Sequence, residues 1–117
     1  IDFRPLISDS GNKRKVLTML VKESETNKEE LVEAIRNKDR MRIKEIIHRM
    51  FPMWEMLGIA EELQEYRNLV HDDSSGDQIM KEWTLKITAS LDRLVSAAVN
   101  EINSLIRQEN EKENTDS

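Results

Sequence analysis

Cysteine is absent from this sequence, which excludes disulfides, thiolate metal sites and cysteine nucleophiles. With none present, the redox compartment cannot be read either. Glycine (3) and proline (2) are scarce, and the β-branched alternation of strands is missing. No apolar run approaches the length that crosses a bilayer, and no signal-peptide pattern opens the chain. Aromatic residues make up only 4%. Leu, Ile, Met, Glu, Lys and Arg dominate instead, which is the composition of an all-helical protein. The 117 residues suit one domain with a workable core and no staples.

Charged residues make up 35% and the formal net charge is -5. A nucleic-acid binder normally carries a basic face, so this balance argues against that class, and no nucleic-acid partner is expected. The two signs are well mixed, as on solvated helix faces. The chain begins at Ile1 without a methionine and is expected to be a piece of a longer protein. Membrane segments would then lie outside it, and the domain itself is expected to make no direct membrane contact.

The opening "IDFRPLISDSG" reads as an irregular or single-turn lead-in, with Phe3 and Leu6 placed to cap one end of a helical core. A first long helix is expected from Lys13 to Asn37, with Leu17, Leu20, Ser24, Leu31 and Ile35 in helical phase. Its middle, "ESETNKEE", contains a Thr26–Glu29 capping-box pattern, but the apolar stripe keeps its phase across it, so one continuous helix is expected. "NKD" makes a turn, and a second helix runs from Arg40 to Leu57, closed by Gly58. A short third helix spans Ala60 to Val70. The loop "HDDSSGD" follows, and Ser75 with Gln78 offers a capping box for the last helix.

That helix is expected over Asp77–Arg107, with Met80, Trp83, Ile87, Leu91, Leu94, Ala98, Ile102 and Leu105 on one face. At 1.5 Å per residue it spans about 45 Å. Four amphipathic helices joined by short turns predict an all-α, antiparallel four-helix bundle over residues 1–108, with a short N-terminal lead-in and a long C-terminal helix. Residues 109–117 are polar and are expected to be a disordered tail. Trp54 and Trp83 should anchor the core, and Met50, Met53 and Met80 should fill gaps in it.

The most informative stretch is "EIIHRMFPMWEMLGI", residues 45–59, which holds His48, one of only two histidines. On a wheel of about 100° per residue, Ile43, Ile46, Ile47, Met50, Met53, Trp54 and Leu57 share one sector, the buried face. His48 falls roughly 150° from its centre and should point outward. Met41, Lys44, Phe51, Pro52 and Glu55 lie on the same side. Three of these are apolar where a solvated helix face calls for polar residues, which suits a docking surface around a titratable, nucleophilic side chain. The bland alternative is that Met41 and Phe51 pack against a loop or the lead-in. Pro52 has no N–H to give the His48 carbonyl, so the helix should bend there. The other histidine, His71, sits with two acids in a loop and is read as solvated; no metal ligands are assigned.

With His48 placed, the stretch resembles the active helix of histidine-containing phosphotransfer (HPt) domains, whose signature is approximately H-x-L-K-G-x-x-x-x-L-G. His48, Met50, Leu57 and Gly58 match its histidine, first apolar position, leucine and closing glycine, and the spacing of ten from histidine to glycine is kept. The form "H-x-M-x-P-M-W-x-M-L-G" is similar to a variant found at the ends of hybrid sensor histidine kinases of the Bacteroides group. The "DF-x-P-L" entry, a first helix ending in "EAIRNKD" and a long closing helix suit the same family. Two positions depart from it. Phe51 stands where the family has a lysine that helps balance phosphoryl charge, and Pro52 stands where it has a glycine. Lys44, one turn before His48, could supply the missing charge; Arg49 lies about 100° further round the helix.

The resemblance implies a phosphoryl relay in two-component signalling rather than an autonomous enzyme. His48 would be the phosphoacceptor, and Lys44 and Arg49 the cations beside the phosphoryl group. Met41, Phe51, Pro52, Glu55 and Gly58 would form the docking surface. The implied partner is a response-regulator receiver domain, whose aspartate exchanges the phosphoryl group with His48. Magnesium is expected on the receiver, and no cofactor on this domain. The implied setting is the cytoplasmic portion of a larger, membrane-anchored sensor kinase. Two rivals remain: an HPt-like module that docks receivers without phosphotransfer, and a purely structural helical adaptor.

Overall fold

The computed structural model describes residues 1–8 and 11–115. Among them are five α-helices and no strand: α1 (Arg4–Ile7), α2 (Lys13–Arg36), α3 (Arg40–Met56), α4 (Glu61–His71) and α5 (Asp77–Thr115). No described helix is long and apolar enough to cross a membrane. Residues 9–10 of the expected lead-in and 116–117 of the expected tail lie outside the described residues.

The lead-in contains a single helical turn, started by Pro5, which loses nothing there because a first-turn N–H has no helical partner. Phe3 and Ile7 are buried and Leu6 half-buried, and α1 packs against α2. Asn12 caps α2 by accepting the Lys15 N–H at 3.0 Å, and Asp39 caps α3 by accepting that of Arg42 at 3.1 Å. α2 runs unbroken through "ESETNKEE", and Thr26 is an exposed mid-helix residue rather than a cap. Burial of Leu20, Ser24, Leu31 and Ala34 on one face carries the helix across that polar stretch.

The C-termini of α2 and α3 are built alike. After α2, the Lys38 N–H donates to the Ile35 carbonyl and that of Asp39 to Ala34; after α3, Gly58 donates to Glu55 and Ile59 to Trp54. Both are Schellman closures, which need a left-handed residue just past the helix. Lys38 takes that conformation with φ 53° and Gly58 with φ 71°.

Two cross-helix pairs fix the direction of α2 against α5, Arg14–Glu109 at 2.8 Å and Lys28–Asp92 at 2.7 Å, and Lys38, just past α2, continues the series with Asp77 at 3.4 Å. Numbers rise along one helix and fall along the other, so the two are antiparallel. The same holds for α2 with α3 (Asn27–Arg49, Glu30–Arg42) and for α4 with α5 (Glu62–Ser90, Tyr66–Thr84). The exposed ion pairs among these contribute little energy each. The seam they flank is dry: Leu17, Leu31, Ile43, Ile46, Ile47, Leu63, Val70, Ile87, Leu91 and Leu94 are all essentially inaccessible.

Several expectations change. α5 does not end at Arg107 but continues to Thr115, so residues 109–115 of the expected tail are helical. Gln, Glu and Lys in "RQENEKEN" are good helix formers, and Glu109 is tied to Arg14. The Ser75–Gln78 capping box does not form: Ser75 donates its N–H to the Asp72 carbonyl, and Gln78 turns along the helix to Glu82. Arg40 claims the loop instead, donating to the carbonyls of Asp72 at 2.9 Å and Ser75 at 2.7 Å. α4 ends one residue later than expected, so His71 belongs to its last turn rather than to the loop. Trp83 is half-buried and not a core anchor; Lys86 lies over its ring at 4.3 Å. Trp54, Met50 and Met80 are buried, and Met53 half-buried.

One polar pair lies inside the core. Thr84 donates its hydroxyl to the Met80 carbonyl at 2.7 Å, so Tyr66, 2.6 Å away, must donate to the Thr84 oxygen. Burial pushes the Tyr66 phenol up to about 12. The folded state therefore holds the Tyr66 proton where the unfolded chain, near pKa 10, has begun to lose it. The stabilising contribution is complete below pH 10 and is lost as pH climbs toward 12. Tyr66→Phe is expected to cost about 1 kcal/mol near neutrality and to remove this alkaline component, both read from urea unfolding at a series of pH values. Gly58→Ala is expected to cost about 1 kcal/mol by the same assay, and Lys38→Gly to gain a few tenths of a kcal/mol (~0.3), because only φ differs in cost. Nothing lies within 4 Å of a Cβ at Gly58, so a larger loss there would contradict a purely conformational cause.

Candidate functional site

The rotation of α3 about its axis decides what its histidine can do. Ile43, Ile46, Ile47, Met50 and Trp54 are between 0% and 3% exposed, so this face cannot turn without uncovering the core. His48 is thereby held on the opposite side and is exposed. Among the described residues no protein group hydrogen-bonds its imidazole. His48 lines neither the groove between α2 and α3 nor the one between α2 and α5. An exposed position outside these grooves suits a macromolecular partner better than an enclosed small molecule.

The neighbours expected around it divide into two groups. Met41 is 68% exposed, and Pro52, Glu55 and Gly58 are also exposed. Met56, which the sequence reading left out, is 50% exposed and one turn beyond Pro52. Phe51 differs from its expected outward placement: it is half-buried against the core, and the Arg67 guanidinium lies 5.1 Å from its ring centre. Its contact with Arg67 is one with α4. No sequence signal pairs Arg67 with Phe51, because the contact exists only once α4 folds back on α3.

The expected cations divide as well. Arg49 turns toward α2 and donates to Asn27 at 2.6 Å and to the Glu30 carboxylate. Arg42 is engaged by Glu30 and Glu45 at 3.2 and 3.0 Å. Lys44, half-buried and one turn before His48, has no carboxylate partner among the described residues, and neither has Arg67. Two cations without a carboxylate partner among the described residues thus belong to this region: Lys44, one turn before His48 on α3, and Arg67 of α4, which lies over Phe51.

His71 is exposed at the end of α4. Asp72, next to it, is occupied by a local turn, accepting the Ser74 hydroxyl at 2.6 Å and the Ser74 N–H at 3.0 Å. The Ser74 hydroxyl holds the Asp72 carboxyl below the usual range. Among the described residues no three His, Asp or Glu side chains are grouped to hold a metal ion.

Diethyl pyrocarbonate is expected to modify both histidines of the native protein, and His48→Gln to remove one adduct, as read by intact mass. Protection of His48 in the native fold would contradict its outward placement. Comparison with known proteins supplies no family for the chain: no family model, no curated protein and no solved structure matches it.

Proposed function

We propose that this chain is a phosphoryl-relay domain, an antiparallel four-helix bundle of α2 to α5 that carries a phosphoryl group on His48. The observation that carries the reading is the exposed imidazole at the middle of the outward face of α3, within the H-x-M…L-G spacing of residues 48–58. Antiparallel neighbours around α3 and the exposed Met41, Pro52 and Met56 support it further.

The chemistry asks little of the domain. Near neutral pH a substantial fraction of histidine is the neutral, nucleophilic imidazole. Its free nitrogen, Nε2 in this reading, attacks the phosphorus of an aspartyl phosphate on a receiver. The bond from phosphorus to the aspartyl oxygen breaks, the carboxylate leaves with the electron pair, and the N–P bond forms. The Nδ1 proton stays in place, so the product is a phosphoryl imidazolium. Transfer to a second receiver runs the same step in reverse. Magnesium bound to the receiver would offset charge on the phosphoryl oxygens. The domain supplies the nucleophile and a docking face, and no nucleotide site. In this reading it works as the cytoplasmic portion of a membrane-anchored sensor kinase, without binding nucleic acid.

Phe51 in the place of the family lysine favours a second reading, in which receivers dock but no phosphoryl group moves. Incubation with radiolabelled phospho-receivers separates the two. Acid-labile label should appear on the wild type and be absent from His48→Gln. Binding without transfer from any receiver tested would instead establish the docking module, and absence of binding would refute both.

A further inference from the structure

Position 51 of α3, a lysine in the family that the sequence resembles, is Phe51 here, and a cation from the neighbouring helix lies over its ring. Phe51 lies three residues beyond His48 on the same side of α3, close enough for their side chains to be neighbours. The Arg67 guanidinium sits over its ring, with the guanidinium carbon 5.1 Å from the centre. Such a contact uses the positive charge of the guanidinium. A guanidinium carries five N–H donors, more than one ring contact can occupy.

Charge around the site points the same way. The arginines of α3 nearest His48 in sequence, Arg42 and Arg49, are held by Glu30 on the side of α2. Arg67 has no carboxylate partner among the described residues. Glu45, which could cancel positive charge on the outward face, is engaged by Arg42 at 3.0 Å. Lys44 thus lies one turn before His48 on α3, and Arg67 lies over Phe51, one turn after it.

We propose that Arg67, seated on Phe51, is the group that receives the oxygens of a phosphoryl group carried by His48. The inference rests on the phosphorelay reading. Phe51 then has a specific part: its ring is the platform that holds a cation from α4 where an α3 lysine is missing. Arg67 is a charge-positioning residue, and His48 remains the nucleophile.

Phosphoramidate, a small anionic donor, tests this without a receiver. The His48 nitrogen attacks phosphorus, the P–N bond of the donor breaks, and ammonia leaves with a proton from the donor. Phosphorylation followed by ³¹P NMR would compare wild type, Arg67→Gln, Arg67→Lys and Phe51→Leu, with His48→Gln as the blank. Arg67→Gln is expected to slow phosphorylation roughly five- to tenfold, the range set by one charge-assisted hydrogen bond. Arg67→Lys should recover most of the rate. Phe51→Leu, which keeps the charge and removes the platform, should fall between. The wild-type rate should also drop more steeply with added salt than that of Arg67→Gln. Circular dichroism of each variant separates lost charge from lost fold, and Phe51→Leu stands in if Arg67→Gln does not fold. Equal rates for wild type and Arg67→Gln, with label on His48 in both, would overturn the role of Arg67 and leave the relay reading intact. Failure of wild type to take the phosphoryl group on His48 would overturn the relay reading and this inference together.

Discussion

Burial of one face of α3 is the constraint from which the functional surface follows. Ile43, Ile46, Ile47, Met50 and Trp54 each gain roughly 1.5–3 kcal/mol by leaving water. Turning the helix by one residue would expose several of them at once, a cost comparable with the whole stability of a domain this size. His48 needs no hydrogen bond to keep it outward. The five residues behind it do so, and side chains one turn either side of it inherit the same orientation.

Short, well-closed connections support that constraint. α2 and α3 both end in Schellman turns, so the carbonyls left over at their C-termini find donors locally. The loop before α5 has no comparable backbone closure and is held by Arg40, which reaches from the start of α3 to carbonyls of Asp72 and Ser75. One side chain therefore couples the beginning of the histidine helix to the entrance of the longest helix. Inside the core, Tyr66 donates to Thr84, Thr84 donates to the Met80 carbonyl, and Thr88 donates back to the Leu85 carbonyl. Buried polar atoms cost least when partners are this local.

The sequence made α3 legible because burial there follows the helical period; the residues placed inward by the wheel are the ones the core contains, apart from the half-buried Met53. The outward placement of His48 came from the same periodicity. Phe51 was misjudged for a physical reason. A wheel reports direction from one axis, whereas α4 covers part of the face that the wheel marks as open. Trp83 shows the converse, since its position on the apolar stripe does not reveal that no helix covers it fully. The end of α5 was set too early because polarity was taken for disorder, although Glu, Lys and Gln support helix well. The roles of Arg49 and Arg67 depend on which neighbouring helix each one reaches, and no spacing within one chain segment carries that information.

The unequal lengths of the helices divide the molecule mechanically. α5 is about 58 Å long, against about 25 Å for α3 and 17 Å for α4, within an overall length of 64 Å. α3 and α4 brace only the part of α5 near its start. Beyond them α2 and α5 continue as a two-helix arm with α1 against it, where Ile102 and Leu105 are only half-buried. The arm has fewer layers to break, so it is the part that opens at the least free-energy cost, and exchange of its amides should outpace that around Leu63 and Ile87. A pull or twist applied at the C-terminus would be absorbed by unzipping this arm before it reached the braced half. The histidine face is in this sense mechanically insulated from whatever holds the end of α5.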